Sequence, residues 1–206
     1  FAQQRSAGSP KVRLINPNVG EDGWAARHSV LEIVNDDMPF LVDSTTVEIN
    51  RQGLTLHFIV HPLFAVARDA AGRMWFGTNG GVSVFDNEVW TTYTAADGLV
   101  DDTVFDVAAA PDGHVWFGTS AGLSEFDGEQ WQTHLAGQPI AAIAISPAGT
   151  VWAVGGGGVH RYEGGRWLEV QPAWFKGQDL RAVAVSPIGE VWVGSFGDGI
   201  TVLTPT

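Results

Sequence analysis

The chain contains no cysteine, so disulfides and thiolate metal sites are excluded and the redox compartment is left open. It has no apolar run long enough to span a bilayer. Basic residues are scarce: 11 Lys and Arg stand against 23 Asp and Glu, a formal net charge of −12. The deficit is uneven. Residues 1–64 hold 5 basic and 7 acidic side chains, a balance of −2, whereas residues 65–206 hold 6 and 16, a balance of −10. Binding to phosphates needs a basic footprint, so nucleic acid is excluded as a partner of the second part, and a cationic or neutral partner suits it. Catalytic signatures are missing as well. There is no His-Glu-x-x-His, and the glycine run Gly155 to Gly158 lacks the Lys-Ser/Thr of a phosphate loop. His114, His134 and His160 read as isolated residues in different repeats, away from any Ser or Cys nucleophile motif. His57 and His61 are four apart on an expected strand, about 13 Å at roughly 3.3 Å of rise per residue, too far for one metal. No catalytic residue, metal ligand or cofactor is assigned. Phe1 is not a start methionine and no charged-then-apolar leader follows, so the chain reads as excised from something longer.

Glycine and tryptophan are abundant, with 26 and 9 copies. Trp75, Trp116, Trp152 and Trp192 each follow a glycine by three residues, at spacings of 41, 36 and 40. Trp90, Trp131 and Trp167 follow the first three at a constant offset of 15. A period near 40 in an all-β pattern indicates propeller blades. Residues before about 65 ignore the period, which divides the chain into segments 1–64 and 65–206.

In the first segment, Val12 to Ile15 and His28 to Val34 read as strands, with turn chemistry at Asn16-Pro17-Asn18 and Gly20 to Gly23. Asn35-Asp36-Asp37 before Met38-Pro39 marks a helix start, since a carboxylate can accept first-turn N–H groups and proline leaves none orphaned. Gly53 suits a left-handed cap, and Leu54 to Val60 reads as a further strand. Strand, strand, helix, strand is an α+β arrangement. Glu21-Asp22-Gly23-Trp24, the run from Glu32 to Ser44 (EIVNDDMPFLVDS) and His61-Pro62 closely resemble the N-terminal region of the large bacterial NAD-specific glutamate dehydrogenases. That resemblance implies about the first half of an ACT-type regulatory βαββαβ unit, with the dehydrogenase domain absent from this chain. It also implies a ligand site at the first strand-to-helix turn, here Asp36, Asp37, Met38 and Pro39. A carboxylate holding a ligand amine and a carboxylate capping the helix alone both fit this turn.

In the second segment each repeat reads alike. An apolar strand is followed by a Pro/Gly turn, a strand with the first Trp, a glycine turn, a third strand, and a fourth strand with the second Trp. Five-residue strands joined by tight turns form an antiparallel meander, and four make a blade. Asp69-Ala70-Ala71-Gly72-Arg73-Met74-Trp75-Phe76-Gly77-Thr78, recurring as Asp112-Gly113-His114-Val115-Trp116-Phe117-Gly118-Thr119, together with Asp97-Gly98-Leu99, resembles the propeller repeats of two-component regulators (hybrid sensors). Val154 stands where that pattern has glycine, and Asp198 adds a residue. The fold expected is mainly β: a partial propeller of three to four blades, each a four-stranded antiparallel meander, preceded by a small incomplete α+β ACT-like segment.

The periodic tryptophans read as packing between sheets rather than as a ligand row. Contact candidates lie in the connecting loops, which a rigid scaffold leaves free to vary. Trp174 and Phe175 fall off the period beside Lys176. Asp97, Asp101 and Asp102 offer oxygens for a cation and equally suit a solvated acidic loop. Three or four blades leave two apolar end faces open, which points to association, completion by a missing C-terminal stretch, or poor solubility. The function expected is a non-catalytic sensor or interaction module for a small molecule, glycan or protein ligand. The alternatives are a dehydrogenase regulatory segment joined to a propeller and an assembly module that self-associates through open blade faces. The propeller resemblance implies the periplasm, the dehydrogenase resemblance the cytoplasm.

Overall fold

The computed structural model describes residues 9–22, 25–35, 41–57, 65–170 and 179–203. The chain separates into two compact units, Phe1–Pro62 and Leu63–Thr206.

In the first unit, β1 (Lys11–Ile15) and β2 (Val30–Val34) pair antiparallel with Lys11 opposite Val34 and Ile15 opposite Val30. Arg13 and Glu32 face each other across this pair and form an ion pair. The expected turn after Asn18 is instead a short helix, α1 (Val19–Asp22). The Asn18 carboxamide accepts from the Gly20 and Glu21 amides at 3.1 Å, an N-cap that turn chemistry alone did not distinguish. Helix α2 (Leu41–Arg51) ends as expected at Gly53, whose φ of 72° is left-handed. The Leu54 amide then bonds back to the Ile49 carbonyl at 3.2 Å. The strand expected from Leu54 does not form over Leu54–His57, and its remainder lies outside the described residues. Val12, Leu14 and Val47 are each more than half exposed.

The second unit is four antiparallel sheets in chain order. Blade 1 is β3 (Ala65–Arg68), β4 (Met74–Thr78), β5 (Gly81–Asp86) and β6 (Val89–Tyr93). Blade 2 is β7 (Val104–Ala109), β8 (Val115–Thr119), β9 (Leu123–Phe126) and β10 (Trp131–His134). Blade 3 is β11 (Ile140–Ile145), β12 (Val151–Gly155), β13 (Gly158–Glu163) and β14 (Arg166–Glu169). Blade 4 has three described strands, β15 (Asp179–Val185), β16 (Val191–Phe196) and β17 (Gly199–Leu203).

The glycines that set the period close the turn between first and second strands. The amides of Gly72, Gly113, Gly149 and Gly189 bond back three residues at 2.9–3.1 Å, and each glycine has φ between 85° and 94°. A side chain is rarely tolerated there, so the turn selects glycine. The carbonyl acceptors are Asp69, Ala110, Ser146 and Ser186. Three of these four residues also use their side chains. The Ser146 and Ser186 hydroxyls accept amides at 3.0 Å, while the buried Asp69 carboxylate accepts from Ala71, Arg73 and the Trp75 indole N–H. On the first strand, opposite each second-strand tryptophan, stands an alanine: Ala67, Ala108, Ala144 and Ala184. The small partner leaves the indole room to lean across its own sheet. The first strands of blades 2, 3 and 4 also share a register shift at Phe105, Ala141 and Arg181. Such a bulge increases local twist, which suits strands that converge.

Among the described residues there are three cores, one in each gap between blades. Trp75, Val82 and Val84 pack with Val107, Phe117 and Phe126. Trp116 and Leu123 pack with Ile143, Val151 and Ala153. Trp152, Val154 and Val159 pack with Leu180, Val191 and Val193. Burying one aromatic side chain of 150–250 Å² contributes roughly 4–6 kcal/mol before conformational entropy is subtracted. Val154 departs from the glycine pattern yet is fully buried, in the cluster that holds Leu180, Val191 and Val193. At Gly118 the Ile140 carbonyl oxygen would lie 2.8 Å from a Cβ, so only glycine fits.

Candidate functional site

The loops joining one blade to the next run along one end of the array, beside the turns between second and third strands. Backbone bonds tie the two sets together: Gly81 N–H to the Asp102 carbonyl, Ser120 N–H to Thr103, Gly137 N–H to Ala121 and Gly156 N–H to Pro139, at 2.7–3.1 Å. The acidic loop between blades 1 and 2 is built by its own carboxylates. Asp97 accepts from the Thr94 amide and hydroxyl, Asp102 from the Ala95 amide at 2.7 Å, and Asp101 from the Thr103 amide at 2.8 Å and the Ser120 hydroxyl at 2.6 Å. The Ser120 and Thr103 bonds hold the Asp101 carboxyl below its ordinary value. Among the described residues, no group of three or more His, Asp or Glu is arranged to hold a metal. Asp36, Asp37, Met38, Pro39, Trp174, Phe175 and Lys176 lie outside the described residues.

Running through blade 2, from the first-to-second-strand turn at His114 to the loop end at His134, is a constellation that the isolated-histidine reading missed. Glu125 on β9 sits between His114 and His134, with Oε1 2.5 Å from His114 Nδ1 and Oε2 2.7 Å from His134 Nε2. The two histidines belong to one blade. Trp116 stands opposite Glu125 across β8–β9, and His134 stands opposite Leu123 across β9–β10, so the meander aligns Glu125 and His134 on the face turned toward blade 3. There His134 and Tyr162 have ring centroids 5.4 Å apart, and Trp167 lies 5.9 Å from His134. Burial alone would raise Glu125, but the bonds from His134 and His114 outweigh it and hold the carboxyl below its ordinary value. The bond to Glu125 raises His114 against the opposing effect of burial, with Asp112 and Asp127 adding to the rise. Tyr162 is pushed up by burial and by the Glu125 charge. Where His114 reaches the surface, it, Glu125, Asp127, Gln130, Trp131 and Gln132 line a cleft of about 220 Å³. The sequence signal was the pair of offsets, 11 and 9 residues, that a tight meander places side by side.

Higher in the same gap, His160 is buried, and burial lowers its pKa. Among the described residues its Nε2 and the Gln138 Oε1 have no hydrogen-bond partner, and both lie beside Gly157, where a Cβ would meet them at 3.2 and 2.0 Å.

Two families and one fold emerge from comparison with known proteins. Residues 1–78 match the family described as glutamate dehydrogenase, ACT1 domain. Residues 98–121 match the two component regulator propeller family. An NAD-specific glutamate dehydrogenase from Halomonas elongata is 46% identical over 74 residues, 36% of this chain and 5% of that protein. The chain thus spans about a twentieth of the curated relatives it matches. Among solved structures, the extracellular domain of a hybrid two component system protein from B. thetaiotaomicron superposes with a TM-score of 0.58 at 17% identity, covering 74% of this chain and 24% of that one. Virginiamycin B lyase from Staphylococcus aureus superposes with a TM-score of 0.55 at 13% identity, covering 96% of this chain and 75% of that one. At such identities the likeness shows the propeller fold alone. Among the described residues no helix is long and apolar enough to cross a membrane.

Proposed function

We propose that residues 65–206 form a non-catalytic interaction module that senses a small molecule, glycan or protein ligand through its inter-blade loops. The observation that supports this reading is the loop end itself: the described connections are fixed by carboxylates and backbone bonds, so side chains on them are presented rigidly. The segment 171–178 joins β14 to β15 at the equivalent place in the repeat and brings Trp174, Phe175 and Lys176. These three, with Asp101 and Asp102, are the proposed contacts, and the likeness to two-component sensor ectodomains suggests the periplasm. Titrating neutral and cationic oligosaccharides and peptides by calorimetry tests it. Saturable binding weakened at least tenfold by Trp174→Ala supports the reading. Binding unchanged by that substitution removes the contact, and no binding across the panel removes the sensing role.

A second reading rests on the 46% identity of the N-terminal segment to a glutamate dehydrogenase. Residues 1–64 would then be a regulatory segment of such an enzyme, working in the cytoplasm, with an amino acid held at Asp36, Asp37, Met38 and Pro39. Amino-acid titration followed by thermal denaturation tests it. The absence of any melting shift at millimolar ligand counts against a working site.

A further inference from the structure

The gaps between blades repeat one mode of packing, and its two halves recur uncovered at the ends of the array. In the first two gaps the second-strand tryptophan of one blade enters an aromatic socket on the next. Trp75 meets Phe117 and Phe126 with ring centroids 5.6 Å apart in both cases, and Trp116 meets Tyr162 and Trp167 at 5.4 and 6.0 Å. Trp152 is buried in the third gap as well, there against the aliphatic Val191 and Val193. These three indoles are 0, 2 and 6% exposed, whereas the fourth, Trp192, is 44% exposed. Val202 stands opposite Trp192, and Ile200 opposite Gly194, on the same outward face of blade 4, and both are exposed.

The other end carries the matching half. Phe76, Phe85 and Trp90 occupy the repeat positions of Phe117, Phe126 and Trp131, the socket that receives Trp75. In the occupied socket the Phe117–Trp131 and Phe126–Trp131 centroids are 5.3 and 4.8 Å apart. In the outward one, Phe76–Trp90 and Phe85–Trp90 are 5.3 and 4.9 Å apart. The empty socket is therefore already in the geometry of a filled one, with Trp90 55% exposed. Neither set of contact residues carries a charge.

We infer that a second copy of this chain docks head to tail, with Trp192 of one copy in the Phe76–Phe85–Trp90 socket of the next. The interface is heterologous, so it closes into a ring if the blade rotation allows and otherwise extends into a series. The net charge of −12 opposes the approach, so salt strengthens the association by screening.

Light scattering coupled to size exclusion reads the outcome on the full chain. The expected mass is at least double the 22.0 kDa of one copy and rises with salt. Trp192→Glu and Trp90→Glu each return the chain to 22.0 kDa. Mixing the two variants restores a pair, because each keeps the half that the other has lost. That restoration also shows that both variants fold. A wild type that stays at one copy up to its highest soluble concentration overturns the inference. So does a Trp90→Glu chain that still pairs with itself, since that would mean face-to-face contact of like ends, and so does a mixture that stays monomeric. Ligand binding at the loop end is unaffected by either variant, so its failure and the failure of pairing are separable.

Discussion

Replacing Glu125 by Gln tests whether a buried carboxylate between two imidazoles holds blade 2. The substitution keeps shape and volume but removes the charge and one acceptor. A carboxamide offers one oxygen, so the imidazole on its other side must turn its unprotonated nitrogen to the NH2, which confines that ring to one neutral tautomer. The His134 side is buried and the His114 side is partly open, so the loss is unequal. A hydrogen bond to a charged group contributes about 1.5–3 kcal/mol, and the exposed partner falls below that range. The expected destabilisation is therefore about 2–3 kcal/mol near pH 6, read by urea unfolding with tryptophan fluorescence. The pH dependence adds a second check. His114 is raised in the fold, so its contribution is fully present below its unfolded value of 6.5 and is lost as pH rises through the folded value. Glu125 is lowered, so its contribution is present above 4.5 and is lost as pH falls through the folded value. The difference between wild type and Glu125→Gln is then largest between pH 4.5 and 6.5 and shrinks on either side. His160 has the opposite slope, favouring the fold above 6.5, but it is common to both proteins and cancels in the difference. A variant as stable as wild type, or a difference flat from pH 4 to 8, would refute the reasoning.

Two further substitutions probe the repeat. Gly155→Ala places a Cβ 2.0 Å from the Pro139 carbonyl oxygen and 3.0 Å from the Ile140 Cα, so backbone must move. It should cost about 3 kcal/mol in chemical denaturation, against less than about 1 kcal/mol for Gly194→Ala, whose nearest atom is the Ala182 Cβ at 3.4 Å. Asp69→Ala strips the acceptor from the Trp75 indole, the Arg73 guanidinium and two amides. A loss of about 3 kcal/mol is expected, partly recovered by Asp69→Asn, which keeps one acceptor oxygen for the indole.

The glycine–tryptophan period carried most of the fold because it encodes a local event. A left-handed turn and a large side chain three residues on recur wherever the first strand of a blade turns into the second, and the order of strands in each blade followed from them. Features set by neighbours in space were not legible. The register shifts at Phe105, Ala141 and Arg181 leave no mark of their own in composition. Glu125 looked like one acidic residue among 23 because its histidines lie on flanking strands. The tryptophans were read as uniformly packed. That is true where a following or preceding blade covers them, whereas Trp90 and Trp192, on the two end faces, are about half exposed. Leu54–His57 has strand composition, yet no strand pairs with it among the described residues, which is the limit of propensity without a partner.

The hairpin β3–β4 lies where two likenesses overlap. Similarity to the dehydrogenase ACT1 family runs to residue 78, but the compact units divide between Pro62 and Leu63. The residues from Leu63 to Thr78 therefore fall within the range that matches the ACT1 family while supplying the first two strands of the second unit. Such a segment can change allegiance because its register is settled internally, by the Asp69 carboxylate and the Gly72 turn, before any third strand is added. A self-registering hairpin works as a coupling that accepts whichever strand follows.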